Sequence, residues 1–198
     1  STQITLFTRK LDKVEKITHE MVKEFIDVIS LENNKIESIS KFGTRAIFEN
    51  FTDIGKYDIN EFVKNYVSKI ANYFATSKLK VNFKSTITTP FITPFRPLDI
   101  SIIIDNMISN AKKADAKNLT IAFNFLSHKE IELTFTDDGN GLNHIIKNKK
   151  SIFQKGFSTT KSTGLGLYHI SNIVLEYKWT IDFKELSKGI QFIITIKK

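Results

Sequence analysis

The chain has 198 residues, enough for one domain of about 130–150 residues and a helical extension. Hydrophobic residues make up 41% of it, including 17 Phe, which is sufficient for a core. Cysteine is absent, which excludes disulfides, and no run of about 18 apolar residues could cross a membrane, so we expect a cytoplasmic location, alone or as part of a larger protein. The net charge of +8 is spread along the chain without an Arg-rich stripe, which favours phosphate-bearing or acidic partners over a specific nucleic-acid interface.

The first quarter of the sequence predicts one long helix or a helical hairpin. Residues 12–50 contain no proline and a single glycine, Gly43, and a break near residues 32–34 would divide the segment into two helices. An unbroken helix would reach roughly 60 Å. The small domain alone cannot bury so long an apolar stripe, so we expect a partner helix. The stripe follows a heptad-like spacing and consists of Val22, Phe25, Ile29, Ile36, Ile39 and Ala46.

Residues 57–97 predict a strand and helix, then a second strand and a loop. The strand-then-helix pattern covers residues 57–75, and residues 79–86 read as the next strand. Pro90, Pro94 and Pro97 place a loop after that strand.

Residues 98–114 predict an amphipathic helix with two asparagines on one face. Asn106 and Asn110 are four residues apart, so both amides project from the same side. Amide carbonyl oxygens suit a hard cation such as Mg²⁺, which takes oxygen ligands and retains waters and phosphate oxygens. The alternative is that both asparagines lie on the solvated side of the helix. The opposite, core-facing positions are Ile103, Met107, Ile108 and Ala111.

A strand hairpin over residues 118–126 and 130–137 leads into the segment Asp137-Asp138-Gly139-Asn140-Gly141. A carboxylate at the strand end, Asp137, could accept a hydrogen bond from an exocyclic amine and so select adenine over guanine. Gly139 and Gly141 would let a planar ring approach the backbone. The alternative interpretation of this segment is an ordinary Asp-Gly turn.

The 22-residue segment between Gly141 and Gly164 predicts a loop rich in lysines and hydroxyls. Such a loop could close over phosphates, although a solvated surface has the same composition. Gly164 and Gly166 then stand at the start of a helix over residues 165–177, where free N–H groups favour a phosphate. Strands at 178–185 and 189–196 complete the sheet. The lysines and hydroxyls of the loop are Lys147, Lys149, Lys150, Lys155, Lys161, Ser158, Thr159 and Thr160.

The order of these segments, an asparagine helix, D-x-G-x-G, a phenylalanine box and G-x-G-L, resembles the GHKL ATPase superfamily. Within it, residues 98–195 are similar to the catalytic ATP-binding domain of sensor histidine kinases. The resemblance implies a Bergerat-type α/β sandwich, with helices on one face of a mixed sheet, over residues 57–198. It also implies that residues 1–56 are an incomplete helical dimerisation segment through which homodimers form. No P-loop or dinucleotide-binding motif is present.

The resemblance assigns Mg²⁺ and ATP as cofactors, together with individual roles. Asn110 matches the Mg²⁺-binding asparagine and Asn106 its helical-turn neighbour, while Lys113 matches a lysine near the ribose and phosphates. Asp137 matches the residue that reads adenine, with Gly139 and Gly141 beneath the base. Two departures are Ala114, where many members have an aromatic residue, and a three-residue spacing in the phenylalanine box. The lid and phosphate-side matches are Phe153, Phe157, Ser158, Thr159, Lys161, Gly164, Leu165, Gly166 and Leu167.

The identity of residue 106 distinguishes two kinds of reaction within the superfamily. Hydrolysing branches carry a water-polarising glutamate four residues before the Mg²⁺ asparagine, whereas Asn106 cannot act as a base. Asp105 is turned about 100° away and does not replace it. The resemblance therefore implies a two-component histidine kinase module that donates the γ-phosphoryl group of Mg-ATP to a histidine. Its partners would be an acceptor-histidine helix and a response regulator. The alternative is a non-catalytic, ATP-switched interaction module.

His19, followed by Glu20, is a candidate phosphoacceptor, because the acceptor histidine of the family is often followed by glutamate. No proline follows it, and only about 38 residues separate it from the linker-like residues 57–67, too few for a full helical hairpin. A solvent-facing helix histidine is the favoured interpretation. We expect this chain to carry the second helix of the bundle, with the acceptor helix upstream.

Overall fold

The computed structural model describes residues 18–23, 25–26, 29, 52–68, 79–142, 149–157 and 165–198. The long helix predicted over residues 12–50 lies almost entirely outside these ranges. Residues 19–23 are helical, and the hydroxyl of Thr18 caps them by accepting a hydrogen bond from the backbone N–H of Met21 at 3.2 Å. The choice between one helix and a hairpin therefore stays a prediction. No helix in the described ranges is long and apolar enough to cross a membrane.

The described helices and strands are interspersed along the chain, as expected of an α/β protein. They confirm the predicted helix over residues 98–114, the central hairpin and the two C-terminal strands to within a few residues. In chain order they are β1 (Gly55–Asp58), α1 (Ile59–Tyr66), β2 (Lys80–Ser85), β3 (Ile92–Phe95), α2 (Pro97–Lys113), β4 (Asn118–Ser127), β5 (Glu130–Asp137), a 3₁₀ helix (Lys149–Phe153), α3 (Gly166–Glu176), β6 (Thr180–Glu185) and β7 (Ile190–Lys197).

The main sheet has five strands in the order β2-β4-β5-β7-β6. The pair β2 and β4 is parallel and the other pairs are antiparallel, so the sheet is mixed, as predicted. Alternate side chains of the three central strands are buried on the face against which the helices pack. The fold prediction of an α/β sandwich is confirmed. These buried side chains are Leu119, Ile121, Phe123, Ile131, Leu133, Phe135, Phe192, Ile194 and Ile196.

A second, two-stranded sheet corrects the loop predicted around Pro94. β3 contains Pro94 and pairs antiparallel with β1, so that Gly55 lies opposite Phe95 and Asp58 opposite Ile92. The loop prediction was wrong because proline, which lacks an N–H, is tolerated in a strand that needs no ladder donor at that position, as in a two-stranded sheet. Of its two strands, β1 runs directly into α1 and β3 leads towards α2.

α2 is the central helix of the fold, and Pro97 opens it at a position where its missing N–H has no intrahelical partner. Nearly every apolar side chain of α2 is buried, whereas α1 and α3 each bury a single stripe of three residues. α3 packs against α2, and the 3₁₀ helix packs against α3. The asparagines of α2 are therefore placed by the helix that buries the most side chains in the described part of the chain.

We predict that alanine at two glycines with positive φ has different effects on stability. Gly189 has φ +81°, and a Cβ there would collide with the backbone oxygen of Asp137, whereas Gly156 has φ +76° with nothing within 4 Å. Gly156→Ala should lower the free energy of unfolding by about 1 kcal/mol, the cost of placing a Cβ at positive φ. Gly189→Ala should cost about 2 kcal/mol more, because the strand end must move. Urea unfolding measures both, and equal losses would contradict the contact at Gly189.

Candidate functional site

Asn106 lies on α2 beside the first residue of α3. Its Nδ2 donates a hydrogen bond to the backbone oxygen of Ile102 at 2.8 Å, which leaves Oδ1 facing Gly166. A Cβ at Gly166 would lie 2.8 Å from that Oδ1, closer than side chains tolerate. Glycine at position 166 therefore lets the start of α3, with its free N–H groups, come against the asparagine face of α2.

Asn110 lies one helical turn further along α2 and carries an unpaired polar atom. Its Nδ2 is buried and has no hydrogen-bond partner within the described residues. A buried donor left unpaired costs about 1–3 kcal/mol, so the position suits a polar group from outside the chain. The NH₂ end of this amide can donate to a phosphate oxygen, and its carbonyl end is a suitable ligand for a hard cation. Lys113, in the last turn of α2, is exposed.

The end of α2 is bonded to the loop that follows β5. The N–H of Asn140 donates to the backbone oxygen of Ala114 at 2.8 Å. A Cβ at Gly139 would lie 2.5 Å from the same oxygen, so glycine is needed for the loop to pack against the helix end. Gly141 has φ +68° and approaches the backbone oxygen of Gly189. The two glycines of the D-x-G-x-G segment thus fix this loop between α2 and the β6–β7 turn.

The two adjacent aspartates of the loop have different surroundings. Asp138 accepts hydrogen bonds from the backbone N–H groups of Lys117 and Asn118 at 2.7 and 2.8 Å, and from the Asn118 side-chain amide at 2.8 Å. The Asn118 side chain is the main cause that lowers the pKa of Asp138 to about 2. All these partners lie at or just before the start of β4, so the carboxylate of Asp138 joins the end of β5 to the start of β4.

Asp137, in contrast, is 6% exposed and lies at the floor of the site. Burial raises the pKa of its carboxyl group, against the opposing effect of hydrogen bonds from the backbone N–H groups of Gly139 and Ile190. The bond from Gly139 is 2.9 Å long. A buried, ionisable carboxylate with a raised pKa is a group from which a ligand donor can recover free energy.

The phenylalanine box lies beside α3, against which the 3₁₀ helix packs. Phe153 ends the 3₁₀ helix, and its ring centroid is 6.1 Å from that of Phe183 on β6. Phe153 and Phe157 are both partly buried against the core, and their role in packing the lid stays a prediction. Leu165 precedes α3, and Leu167 also packs against the core. Lys155 is exposed, and the predicted site residues Ser158, Thr159, Lys161 and Gly164 lie outside the described ranges.

The structure therefore brings the predicted residues of α2 together with two other segments. Asn106 adjoins Gly166, and Ala114, one turn beyond Asn110, adjoins Gly139. Residue 114 lies eight positions after residue 106, which corresponds to about 12 Å along one face of α2. Among the described residues, no three His, Cys, Asp or Glu side chains are close enough together to hold a metal ion. His19 is exposed in the first turn of the N-terminal helical residues, and its phosphoacceptor role stays a prediction.

Two supporting contacts were not predicted from sequence. The β6–β7 turn holds Asp137 through the N–H of Ile190, next to Gly189. The hydroxyl of Tyr66 on α1 donates to Oδ1 of Asp105 at 2.7 Å, beside the asparagine face of α2. Neither a Ser-Lys-Gly turn nor a tyrosine in an amphipathic helix carries a local signal that names its distant partner. The sequence predicts the turn and the helix, but not the contacts that they make.

The family described as histidine kinase-, DNA gyrase B- and HSP90-like ATPase matches residues 96–198, just over half of the chain. The chain belongs to this ATPase family. The matched region of the chain begins immediately before α2 and contains the asparagines, the D-x-G-x-G loop, the phenylalanine box and α3. The resemblance to the GHKL superfamily is thereby confirmed.

Solved structures show the same fold. The catalytic domain of histidine kinase ThkA is 18% identical over 74% of this chain and 97% of its own, with a TM-score of 0.63. Acinetobacter baumannii histidine kinase AdeS is 18% identical over 99% of this chain and 93% of its own, with a TM-score of 0.58. ThkA in complex with response regulator protein TrrA is 19% identical over 100% of this chain and 57% of its own, with a TM-score of 0.58. No curated protein matches this chain in sequence.

We predict opposite pH dependences of stability for Asp137→Asn and Asp138→Asn. The pKa of Asp138 is lowered to about 2, so its contribution is present above the ordinary Asp pKa of about 4 and is lost as the pH falls towards 2. Asp138→Asn should therefore be less stable than the native chain at pH 7, with the difference vanishing near pH 2.

For Asp137 the sign reverses. Because burial raises its pKa, the folded state favours the protonated carboxyl, and that contribution is present below pH about 4 and is lost as the pH rises through the folded value. Asp137→Asn should therefore gain stability relative to the native chain as the pH rises from 4 to 7. Urea unfolding across pH 2–7 measures both variants. Shifts in the same direction for the two variants would contradict the assignment.

Proposed function

We propose that this chain binds Mg-ATP between α2, the D-x-G-x-G loop and the start of α3, and donates the γ-phosphoryl group to a histidine. It would thus act as the catalytic module of a two-component sensor histidine kinase. The observation that carries the proposal is the asparagine face of α2. It offers two amides to a nucleotide, while the carboxylate next to them, Asp105, is hydrogen-bonded to Tyr66 on another helix.

Asp137 supports adenine as the base. Its buried carboxylate is held by backbone N–H groups and can accept a hydrogen bond from the exocyclic amine of adenine, which guanine lacks at that position. Gly139 and Gly141 keep side chains away from the adjacent surface. Ala114 offers no ring for stacking, so we propose that the base lies on the backbone of the glycine loop.

Asn110 and the start of α3 support a triphosphate with Mg²⁺. The unpaired, buried Nδ2 of Asn110 can donate to a phosphate oxygen, and the carbonyl oxygen of the same amide is a suitable ligand for Mg²⁺. Asn106 is one turn away, and Lys113 lies on the following turn. Mg²⁺ would supply charge neutralisation on the phosphates when bound. The free N–H groups at Gly166 and the positive end of the α3 dipole attract the same phosphates.

The environment of Asn106 favours transfer to a histidine over hydrolysis. Its amide is fixed by Ile102 and has no basic group, so it cannot take a proton from water. In the proposed reaction a bond forms between an imidazole nitrogen and the γ-phosphorus, the bond from that phosphorus to the bridging oxygen breaks, and ADP leaves with the electron pair. Positioning and charge neutralisation are the contributions expected of the protein in such a transfer.

The proposed partners follow from the same family. ThkA, which is similar in fold, was solved with the response regulator TrrA. For this chain we propose a response regulator and an acceptor-histidine helix as partners, homodimerisation through the N-terminal helices, and a cytoplasmic location. The acceptor helix lies elsewhere in this proposal, because His19 stands close to the predicted linker.

Two variants separate recognition of the base from recognition of the cation. Asp137→Asn should weaken binding of a non-hydrolysable ATP analogue by about 1.5–3 kcal/mol, equally with Mg²⁺ and with EDTA, because a charged acceptor for the base is lost. Asn110→Ala should weaken binding strongly in Mg²⁺ and little in EDTA, because its carbonyl acts through the cation. Calorimetric titration measures the affinities. Unchanged affinity for Asp137→Asn, or equal losses for Asn110→Ala in both buffers, would remove that residue from its role.

Labelling with γ-³²P-ATP distinguishes transfer from hydrolysis and from simple binding. With a histidine-bearing helical hairpin of a sensor kinase supplied in trans, we expect acid-labile label on that hairpin and phosphate release far below the roughly 1–10³ per second of typical enzymes. Asp137→Asn is the negative control, and His19→Ala should transfer normally. Fast phosphate release without label would contradict the proposal, and tight binding without transfer would favour an ATP-switched interaction module. Loss of label in His19→Ala would identify His19 as the acceptor.

A further inference from the structure

The beginning of α2 and the end of α3 are joined by a cluster of four polar side chains, which we call the helix clamp: Arg96, Asp99, Glu176 and Tyr177. Nη1 of Arg96 donates to Asp99 at 3.2 Å and to Glu176 at 2.6 Å. The hydroxyl of Tyr177 donates to Oδ2 of Asp99 at 2.5 Å and accepts the backbone N–H of Arg96 at 3.0 Å. Three of these four hydrogen bonds link the two helices, and the fourth, from Arg96 to Asp99, lies within the start of α2.

The clamp is also attached to the sheet. The ring of Tyr177 stacks on Trp179 with centroids 4.8 Å apart, and the indole N–H of Trp179 donates to the backbone oxygen of Lys197 on β7. Burial and the bond to Asp99 raise the pKa of Tyr177 above its ordinary value, so its hydroxyl remains a donor at any physiological pH. The position of Tyr177 is thus fixed from three sides.

The clamp and the candidate site lie at opposite ends of the same helix pair. Ten residues separate Arg96 from Asn106 on α2, and ten separate Gly166 from Glu176 on α3. Each stretch is about 15 Å long, and the helices run antiparallel, because Arg96 meets Glu176 while Asn106 meets Gly166. The contact between Asn106 and Gly166 leaves no room for a side chain between them. It brings the two helices close together but does little to fix the angle between them.

We propose that Arg96, Asp99, Glu176 and Tyr177 are positioning residues, which set the direction of α3 so that its first N–H groups stay beside the asparagines of α2. This inference rests on the proposed nucleotide site. If α3 tilted about the clamp, its first residue would be displaced the most, because it lies a whole helix length away. The phosphate end of the site would then lose its N–H donors, whereas the base end, held by the β6–β7 turn and α2, would be unchanged.

The test compares two ligands and two hydroxyl deletions. Tyr177→Phe keeps the ring stacked on Trp179 but removes the shared hydroxyl. Ser101→Ala is the matched control, because Ser101 is fully buried on the same helix and donates to Leu98 at 2.7 Å, away from α3. We expect comparable falls in melting temperature for both variants. Only Tyr177→Phe should weaken binding of a non-hydrolysable ATP analogue, by about tenfold, and neither should change the affinity for adenosine, which has no phosphates.

Glu176→Gln provides a second variant at an exposed position where folding is not at risk, and it should weaken ATP-analogue binding several-fold in the same direction. Equal losses for Tyr177→Phe and Ser101→Ala, or equal losses for the ATP analogue and adenosine, would overturn the positioning role. Failure of the native chain to bind either ligand would instead contradict the proposed nucleotide site. Asp137→Asn should weaken both ligands, which separates loss of the base contact from loss of the clamp.

Discussion

Close approach of backbone to side chain is the constraint on which this site depends. α2 touches the D-x-G-x-G loop through Ala114 and the start of α3 through Asn106, and in both places a Cβ on the facing glycine would overlap its neighbour. A side chain at Gly139 would push its loop away from α2, because its Cβ would meet the backbone oxygen of Ala114. At Gly166 the Cβ would meet the side-chain oxygen of Asn106, so either that amide or the start of α3 would have to move. Among the described helices α2 buries the most side chains, so its backbone would stay in place. The distance between α2 and the two segments that face it therefore depends on the absence of side chains at Gly139 and Gly166.

The polar groups of the site divide into those that the fold uses and those that it leaves for a ligand. The carboxylate of Asp138 accepts a hydrogen bond from Asn118, and that of Asp105 accepts one from Tyr66. Both bonds hold neighbouring elements together. Asp137 is buried, and the pKa of its carboxyl group is raised. Asn110 has a buried amide nitrogen without a partner among the described residues. Such groups lower the stability of the unliganded chain, and a ligand that satisfies them binds more tightly for that reason.

Much of the fold was predictable because its signals are local. The period-2 alternation in β4 and β5, the apolar stripe of α2 and the turn before β7 each depend on neighbours within a few residues. β3 was missed because Pro94 is a strong local breaker, and only its pairing with β1 makes the strand acceptable. The helix clamp was missed for a related reason, since Arg96 and Tyr177 are distant in sequence and neither belongs to a motif.

The sequence by itself determined the identity of the groups: two amides on one helix face, an aspartate at a strand end, and glycines where the backbone must come close. Those properties follow from residue type and from the helical and strand periods, and they sufficed to indicate the family. Tertiary structure alone decided that Asp138, and not Asp137, binds the start of β4, that Asp105 is held by Tyr66, and in which direction α3 runs. Each of these depends on burial and on partners from distant segments, which only the folded chain brings within hydrogen-bond distance.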